Sequence, residues 1–361
     1  MYYACLNSGV GDEMYFKNED IKQMNLGYWE DFWKKNTEFG GFRFDLDGES
    51  QKDIFKKLDK KRHTQEPDLT KYFEQLLLEG RDLLEIGCGI GTDLREFASR
   101  KARVFGFDFS PYNSLISDYG LRLYGLDGVV ILADAEALPF PDCCFDIVYS
   151  WGVMHHTPNT DKAISEVYRV LRPGGTAAVM LYHKGIQYLL IMGRYILKLC
   201  WLRMRRREFI SYAYDKTPLS QIFSKGEIRQ LFHDFDITSI QINLYGGLKD
   251  HRYLKVAYKL FQIFPLLKHI FGTQAFITAK KRLESGKLNQ KPEVVCPLCR
   301  TSLTKRDEGL VCGNDKCAKK FDIYKTIPVL HDYNLDDVIV TGDDAMKEKT
   351  LTSNLYRKWV K

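Results

Sequence analysis

Three glycines spaced two residues apart, Gly87, Gly89 and Gly91, form the most informative motif of this sequence. They follow the apolar run 83–86, so the pattern predicts a strand, a glycine-rich turn and a helix. Glycine lets the backbone approach a ligand closely, which makes this turn a candidate nucleoside-binding loop. Turns between strands and helices also collect glycines for purely steric reasons. A dinucleotide fingerprint would place its third glycine at position 92, which is Thr92, so NAD is disfavoured.

Carboxylates follow the next two predicted strands. Residues 104–108 form a short apolar run that ends in Asp108, and residues 129–132 lead to Asp134. A carboxylate at the first position can accept hydrogen bonds from ribose hydroxyls, and one at the second can accept from an adenine amino group. Taken singly, each would more often be a helix cap or a solvated loop residue. Their order behind one glycine turn favours the nucleoside site.

Two adjacent histidines, His155 and His156, follow a fourth predicted strand at 145–150. They are expected at the mouth of the pocket, where either imidazole could act as a general base near neutral pH. The alternative is structural, with one ring hydrogen-bonded to the loop backbone and the other in solvent. The two alternatives stay open from the sequence.

Four of the nine cysteines have the spacing of metal ligands. Cys296 and Cys299 form one pair, and Cys312 and Cys317 form a second pair after twelve intervening residues. Four thiolates complete a tetrahedral shell around zinc and leave no position for a reacting water, so a structural zinc site is predicted.

The ordered motifs resemble those of the class I S-adenosylmethionine (SAM) dependent methyltransferases, in particular the bacterial group related to the ubiquinone and menaquinone C-methyltransferases. Five segments carry the resemblance: 85–91, Asp108, Asp134 with Ala135, 151–158 and 171–175. It implies an α/β fold, a Rossmann-like seven-stranded sheet with an antiparallel last strand. It also implies that the glycines wrap the methionine part of SAM, that Asp108 binds the ribose, and that Asp134 and Ala135 contact the adenine. The complete predicted cofactor set is Glu85, Gly87, Gly89, Gly91, Asp93, Asp108, Asp134, Ala135 and Ser150.

The residues around the four cysteines resemble the small zinc-binding activator subunit of tRNA, rRNA and release-factor methyltransferases, here fused in cis. We therefore predict a C-terminal zinc ribbon at 293–333 behind a polar linker at 284–292. The remaining predicted boundaries are an N-terminal helical and aromatic cap at 1–60, a methyltransferase domain at 61–283 with insertions at 184–225 and 250–272, and a polar tail at 334–361.

Composition and charge agree with an ordinary enzyme of mildly basic balance, with 45% hydrophobic residues and a net charge of +6. The N-terminus lacks the basic and apolar segments of a signal peptide, so a cytoplasmic location is expected. Residues 184–225 carry nine basic side chains against two acidic ones. The helix predicted at 186–207 is either a lid over the active site, which we prefer, or a peripheral contact with an anionic membrane.

These observations predict a methyltransferase acting on a small or lipid-linked acceptor at oxygen, nitrogen or carbon. RNA or protein methylation is an alternative, suggested by the ribbon resemblance and the basic insertion. It ranks lower because the basic segment lacks the regularly spaced aromatic residues of a base-stacking surface. A non-catalytic SAM-binding scaffold is a second alternative, which the intact glycines and carboxylates disfavour.

Overall fold

The computed structural model describes residues 18–35, 48–66, 68–185, 188, 192–193, 217–243, 264, 270–283, 290–306, 309–324 and 327–331. Most of both predicted insertions, including most of 186–207, lies outside the described residues, as do positions 284–289 and the tail beyond 331. Within the described residues, no helix is both long and apolar enough to span a bilayer.

A seven-stranded sheet forms the centre of the molecule. Its strands are β1 (Asp82–Ile86), β2 (Arg103–Asp108), β3 (Gly128–Leu132), β4 (Phe145–Trp151), β5 (Leu171–Tyr182), β6 (Phe235–Asn243) and β7 (Gln274–Lys281). They are ordered β3-β2-β1-β4-β5-β7-β6, and β7 is antiparallel to both of its neighbours. The predicted Rossmann-like sheet with an antiparallel last strand is therefore confirmed. Because the strand order reverses between β1 and β4, a crevice opens at their carboxyl ends.

Seven helices are described around this sheet: α1 (Asn18–Lys35), α2 (Gly48–Gln65), α3 (Leu69–Glu74), α4 (Thr92–Ser99), α5 (Pro111–Leu123), α6 (Thr160–Val170) and α7 (Lys225–Leu231). Local sequence fixes where several of them begin. The Asn159 side chain accepts from the amide of Lys162 at the start of α6, and Ser224 with Glu227 forms a capping box on α7. These side chains satisfy amides that the first helical turn leaves unpaired.

Strand β5 is longer than the sequence indicates. The motif at 171–175 reads as a turn before a strand that begins at Thr176, but the strand begins at Leu171. Leu171 pairs with Phe145, and the register then shifts before Ile147 pairs with Thr176. Pro173 and the two following glycines lie inside this irregularity, which accommodates residues that would interrupt a regular ladder.

The cysteine-rich unit, residues 290–331, contains a three-stranded antiparallel sheet and a hairpin. The sheet consists of β8 (Leu303–Arg306), β9 (Gly309–Cys312) and β10 (Lys320–Phe321), and the hairpin of β11 (Ile323–Tyr324) and β12 (Ile327–Pro328). Its apolar residues are continuous with the core of the large sheet, since Leu310 and Phe321 belong to the same buried cluster as Phe140 and Phe145. The two predicted units therefore share one hydrophobic core.

Backbone hydrogen bonds also join this unit to the large sheet. The amide of Val295 donates to the carbonyl of Pro139 at 2.9 Å, and that of Leu330 donates to Leu132 at 2.8 Å. Val329 forms a parallel bridge with Leu132 at the end of β3. The end of the cysteine-rich unit thus extends the large sheet beyond its outer strand.

Candidate cofactor and metal sites

The glycine turn has the backbone geometry that the sequence predicts. Gly87 and Gly91 have φ values of 72° and 75°, in the left-handed region. A Cβ at Gly87 would lie 2.2 Å from a methyl carbon of Val153, and one at Gly91 would lie 2.4 Å from the hydroxyl of Ser117. Both positions therefore exclude a side chain through packing as well as φ.

A cavity of about 190 Å³ opens beside this turn, at the carboxyl ends of β1, β2, β3 and β4. Of the predicted cofactor residues, five line it: Gly87, Gly89, Asp108, Asp134 and Ala135. The rest of the wall is largely apolar and includes Trp29, Phe107, Phe109, Trp151 and Val153. The fold therefore brings predicted cofactor residues from three separate strand ends into one pocket.

Asp108 is oriented by backbone and side-chain donors. One carboxylate oxygen accepts from the amide of Gly89 at 2.8 Å. The other accepts from the amide of Ser110 at 2.9 Å and from the side chain of Asn113 at 3.2 Å. Such bonds to a carboxylate are about twice as strong as neutral ones, so they hold both the glycine turn and the predicted ribose acceptor in place.

Asp134 is shared between its own loop and helix α1. Its Oδ1 accepts from the amide of Glu136 at 2.9 Å, and its Oδ2 accepts from Lys22 Nζ at 2.7 Å. Lys22 also pairs with Glu136 Oε2 at 2.9 Å. Burial lowers the pKa of Lys22, but the two carboxylates outweigh it and the pKa is raised overall, so Lys22 is an ammonium.

Four of the predicted cofactor residues lie behind the cavity wall: Glu85, Gly91, Asp93 and Ser150. Asp93 accepts two hydrogen bonds from Arg62, at 2.6 and 3.0 Å, and one from the Tyr149 hydroxyl at 2.8 Å. Ser150 donates to the carbonyl of Ile86 at 3.1 Å. Asp93 therefore joins α4 to Arg62 and Tyr149, and Ser150 joins β4 to β1. Spacing alone did not reveal these structural roles.

Glu85 is a buried carboxyl, and its Oε2 has no hydrogen-bond partner among the described residues. Burial raises its pKa well above the usual value, Asp93 adds to the effect, and Arg62 opposes it. Arg62 is already engaged by Asp93, so it does not satisfy this oxygen. This oxygen lies directly before the glycine turn but behind the residues that line the cavity.

The two histidines have different surroundings. His156 lines the cavity, and its Nδ1 lies 2.7 Å from the carbonyl of Leu219. A carbonyl only accepts, so Nδ1 carries a proton and donates to it. His155 is completely buried against Tyr182, with ring centroids 3.8 Å apart, and neither ring nitrogen has a hydrogen-bond partner among the described residues. Burial lowers the pKa of His155 well below its usual value, and His156 adds to this effect.

Helix α1 contributes three residues to the cavity wall, Lys22, Asn25 and Trp29. Trp29 belongs to the expected aromatic cap, whereas Lys22 and Asn25 were not predicted from the sequence. Asn25 donates to the backbone carbonyl of His156 at 2.8 Å, and Trp29 meets the His156 ring edge-on at 5.2 Å. The spacing i, i+3, i+7 places all three on one helical face, which is a signal the sequence contained. The expected aromatic cap is represented here by Trp29.

The four cysteine sulfurs converge in the cysteine-rich unit. The Sγ atoms of Cys296, Cys299, Cys312 and Cys317 all lie within 4.8 Å of one another. A tetrahedral Zn–S₄ centre with bonds of about 2.3 Å requires sulfur separations near ~3.8 Å, which matches this cluster. The hydroxyl and amide of Thr301 stabilise the Cys299 thiolate and lower its pKa to about 6. The donor set therefore fits zinc.

Comparison with known proteins agrees with the fold. Residues 84–179 match the family model described as "Methyltransferase domain". Sterol 4-C-methyltransferase strm-1 of Caenorhabditis elegans is 34% identical over 101 residues, covering 27% of this chain and 30% of the relative. Sterol 24-C-methyltransferase of Eremothecium gossypii is 35% identical over 106 residues, 28% of each chain.

Among solved structures, the magnesium protoporphyrin IX methyltransferase of Synechocystis PCC 6803 is 15% identical, with a TM-score of 0.47, covering 72% of this chain and 98% of that one. The matched segments span less than a third of the two sterol methyltransferases. The family match covers residues 84–179, which is less than half of the chain.

Proposed function

We propose that this protein is a SAM-dependent methyltransferase. The observation that carries the proposal is the cavity in which Gly87, Gly89, Asp108, Asp134 and Ala135 meet. In this assignment the glycine turn holds the methionine part, Asp108 accepts from the ribose hydroxyls, and Asp134 accepts from the adenine amino group. SAM supplies an electrophilic methyl group with its own leaving group, so the protein's main task is to align the acceptor.

Titration calorimetry with SAM and S-adenosylhomocysteine (SAH) tests this assignment. Both should bind with one site per chain, and Gly89→Val should abolish binding because Gly89 lines the cavity and has a φ of 53°, which a β-branched residue rarely adopts. A wild-type protein that binds neither compound would refute the proposal.

For the acceptor we propose a small or lipid-linked molecule. The largely apolar cavity wall supports this class, and the names of both sterol relatives point to lipid acceptors in those proteins. The sequence motifs also resemble quinone methyltransferases in particular, but neither relative's name mentions a quinone. We also propose a cytoplasmic location, with 186–207 as a lid over the active site and peripheral membrane contact through this segment as the alternative.

Methyl-labelled SAM incubated with separate lipid, RNA and protein fractions of a cell extract distinguishes the acceptor classes. The proposal expects label in the lipid or small-molecule fraction. Label that appears in RNA or protein would contradict it and support the alternative of macromolecule methylation.

We further propose that the four cysteines bind one structural zinc ion, and that His156 rather than His155 is the better placed base for an acceptor that must lose a proton. The converging sulfurs support the first statement and the cavity position of His156 the second. Metal analysis should find one zinc per chain in the wild type and none in Cys299→Ser.

A further inference from the structure

One face of helix α1 lines the cofactor cavity. Lys22 contacts Asp134 at the predicted adenine end, and Trp29 contacts His156. Asn25, between them, is 7% exposed and is held by the backbone carbonyl of His156. With this helix in place the cavity measures about 190 Å³, below the ~300–1,000 Å³ of ordinary small-molecule sites.

The contact at the adenine end is an ion pair shielded from solvent. The side chains of Lys22 and Asp134 are each 13% exposed, and that of Glu136 is 5% exposed. The Lys22 ammonium bridges the two carboxylates at 2.7 and 2.9 Å. Lys22 therefore has two carboxylate partners and could release one while keeping the other.

Lys22 holds the carboxylate that an adenine amino group would use. Asp134 Oδ1 accepts the amide of Glu136, Oδ2 accepts Lys22 Nζ, and Lys22 itself lines the cavity. A carboxylate oxygen can accept a second donor, but a hydrogen bond between two charged groups is stronger than one from a neutral amino group. Lys22 therefore weakens Asp134 as an acceptor for the amino group and fills space beside it.

We propose that Lys22 competes with the adenine amino group for Asp134, and that the cofactor binds as Lys22 passes from Asp134 to Glu136 alone. This inference rests on the proposed function, because it takes Asp134 as the adenine acceptor. It makes Lys22 a determinant of cofactor affinity that acts against binding. It also makes the position of α1 depend on whether the cofactor is bound.

Calorimetry with two probes tests the competition. SAH offers the amino group, whereas S-inosylhomocysteine carries a carbonyl oxygen at that position and cannot donate to Asp134. Lys22→Met removes the competitor, so SAH should bind about tenfold more tightly, equivalent to ~1.4 kcal/mol. The inosine compound should gain nothing, because its oxygen would face an unshielded carboxylate. Lys52→Met, which removes a surface lysine paired with Glu49, is the control and should change neither affinity.

A second variant tests whether Lys22 moves from Asp134 to Glu136 when the cofactor binds. Glu136→Gln removes the alternative partner of Lys22, so Lys22 should stay on Asp134 and SAH should bind several-fold more weakly. In the Lys22→Met background the same change should have no such effect. A loss of affinity that persists in the double variant would overturn the proposed movement of Lys22 to Glu136.

Three further outcomes overturn the proposal. Equal tightening for both probes would mean that Lys22 only holds α1 closed, and weaker SAH binding in Lys22→Met would mean that Lys22 supports the adenine. If the wild type binds neither SAM nor SAH, the proposed function itself fails, and the competition fails with it. Hydrogen exchange across 18–35 gives a separate readout: SAH should speed exchange near Lys22 in the wild type.

Discussion

Glu66 is a buried carboxyl that makes stability depend on pH. Its side chain accepts from Gln274 at 3.1 Å, and it is 7% exposed. Burial raises its pKa from 4.5 to about 7, against the opposing effects of Arg62 and Gln274. Between these two pH values the folded protein keeps a proton that the unfolded chain has lost, so stability falls as pH rises.

We therefore expect the free energy of unfolding to decrease between about pH 5 and pH 7.5 in the wild type. Glu66→Gln keeps the hydrogen-bonding shape without the ionisation, so it should remove this part of the decrease. At pH 8 the variant should be more stable than the wild type by ~3–3.5 kcal/mol, at ~1.4 kcal/mol per unit of pKa shift. Urea unfolding at pH 5 and pH 8 measures both values, and equal pH dependence in the two proteins would contradict the prediction.

Asp108 carries a second prediction at the residue scale. Asp108→Asn keeps the size of the side chain but replaces one acceptor oxygen with a donor group that would face the Gly89 or Ser110 amide. We expect SAH binding to weaken by ~1.5–3 kcal/mol, the range for a hydrogen bond to a charged group. Calorimetry measures this loss, with Asp53→Asn, an exposed carboxylate of α2, as the control. Unchanged affinity would remove Asp108 from the ribose site.

Residues whose positions follow from strand ends could be placed from the sequence, although their roles toward the cofactor stay predictions. Asp108 and Asp134 come together because parallel strands bring their carboxyl ends to one edge of a sheet. Sequence reasoning did not separate Gly87 and Gly89, which line the cavity, from Asp93, which lies behind it. That difference depends on the pairing of Asp93 with Arg62, which lies 31 positions earlier in the chain. No local sequence pattern predicts such a pairing.

At the scale of elements, the glycine turn is held between β1 and the loop after β4. Gly87→Ala places a Cβ 2.2 Å from Val153, in a backbone conformation with φ of 72°. We expect a loss of ~2 kcal/mol or more in unfolding free energy, together with weaker SAH binding.

A matched control separates packing from backbone strain. Gly80 has the same φ of 72°, but a Cβ there would meet nothing within 4 Å. Gly80→Ala should therefore cost only the ~1–2 kcal/mol of the left-handed conformation. Adding Val153→Ala to Gly87→Ala should recover part of the loss. If the Gly80 and Gly87 variants lose the same stability, the contact with Val153 does not matter.

Helix α1 shows where element-level prediction reached its limit. Its aromatic residues suggested a cap, and Trp29 does cover the cavity. The ion pair of Lys22 with Asp134 joins residues 112 positions apart, so the sequence could not reveal which carboxylate the helix approaches. Periodicity identifies the face of a helix but not the surface that it meets.

At the scale of the whole molecule, the cysteine-rich unit is part of the main core. The predicted linker at 284–292 suggested two units that unfold separately, whereas Leu310 and Phe321 pack with Phe140 and Phe145. We expect calorimetry to show one unfolding transition for the zinc-loaded protein, shifted to lower temperature as a whole by Cys299→Ser. Two independent transitions, with the larger one unaffected by the variant, would contradict this shared stability.

The bridge between Val329 and Leu132 has a consequence for solubility. Strand β3 is the outer strand of the large sheet, and its residues 129–132 are all buried and apolar. An exposed strand of this kind offers unpaired amides and carbonyls to other chains and invites aggregation. Here Val329 and Leu330 occupy part of that edge. The cysteine-rich unit thereby covers part of an aggregation-prone edge, and removal of the proposed zinc should produce turbidity as the shared core unfolds.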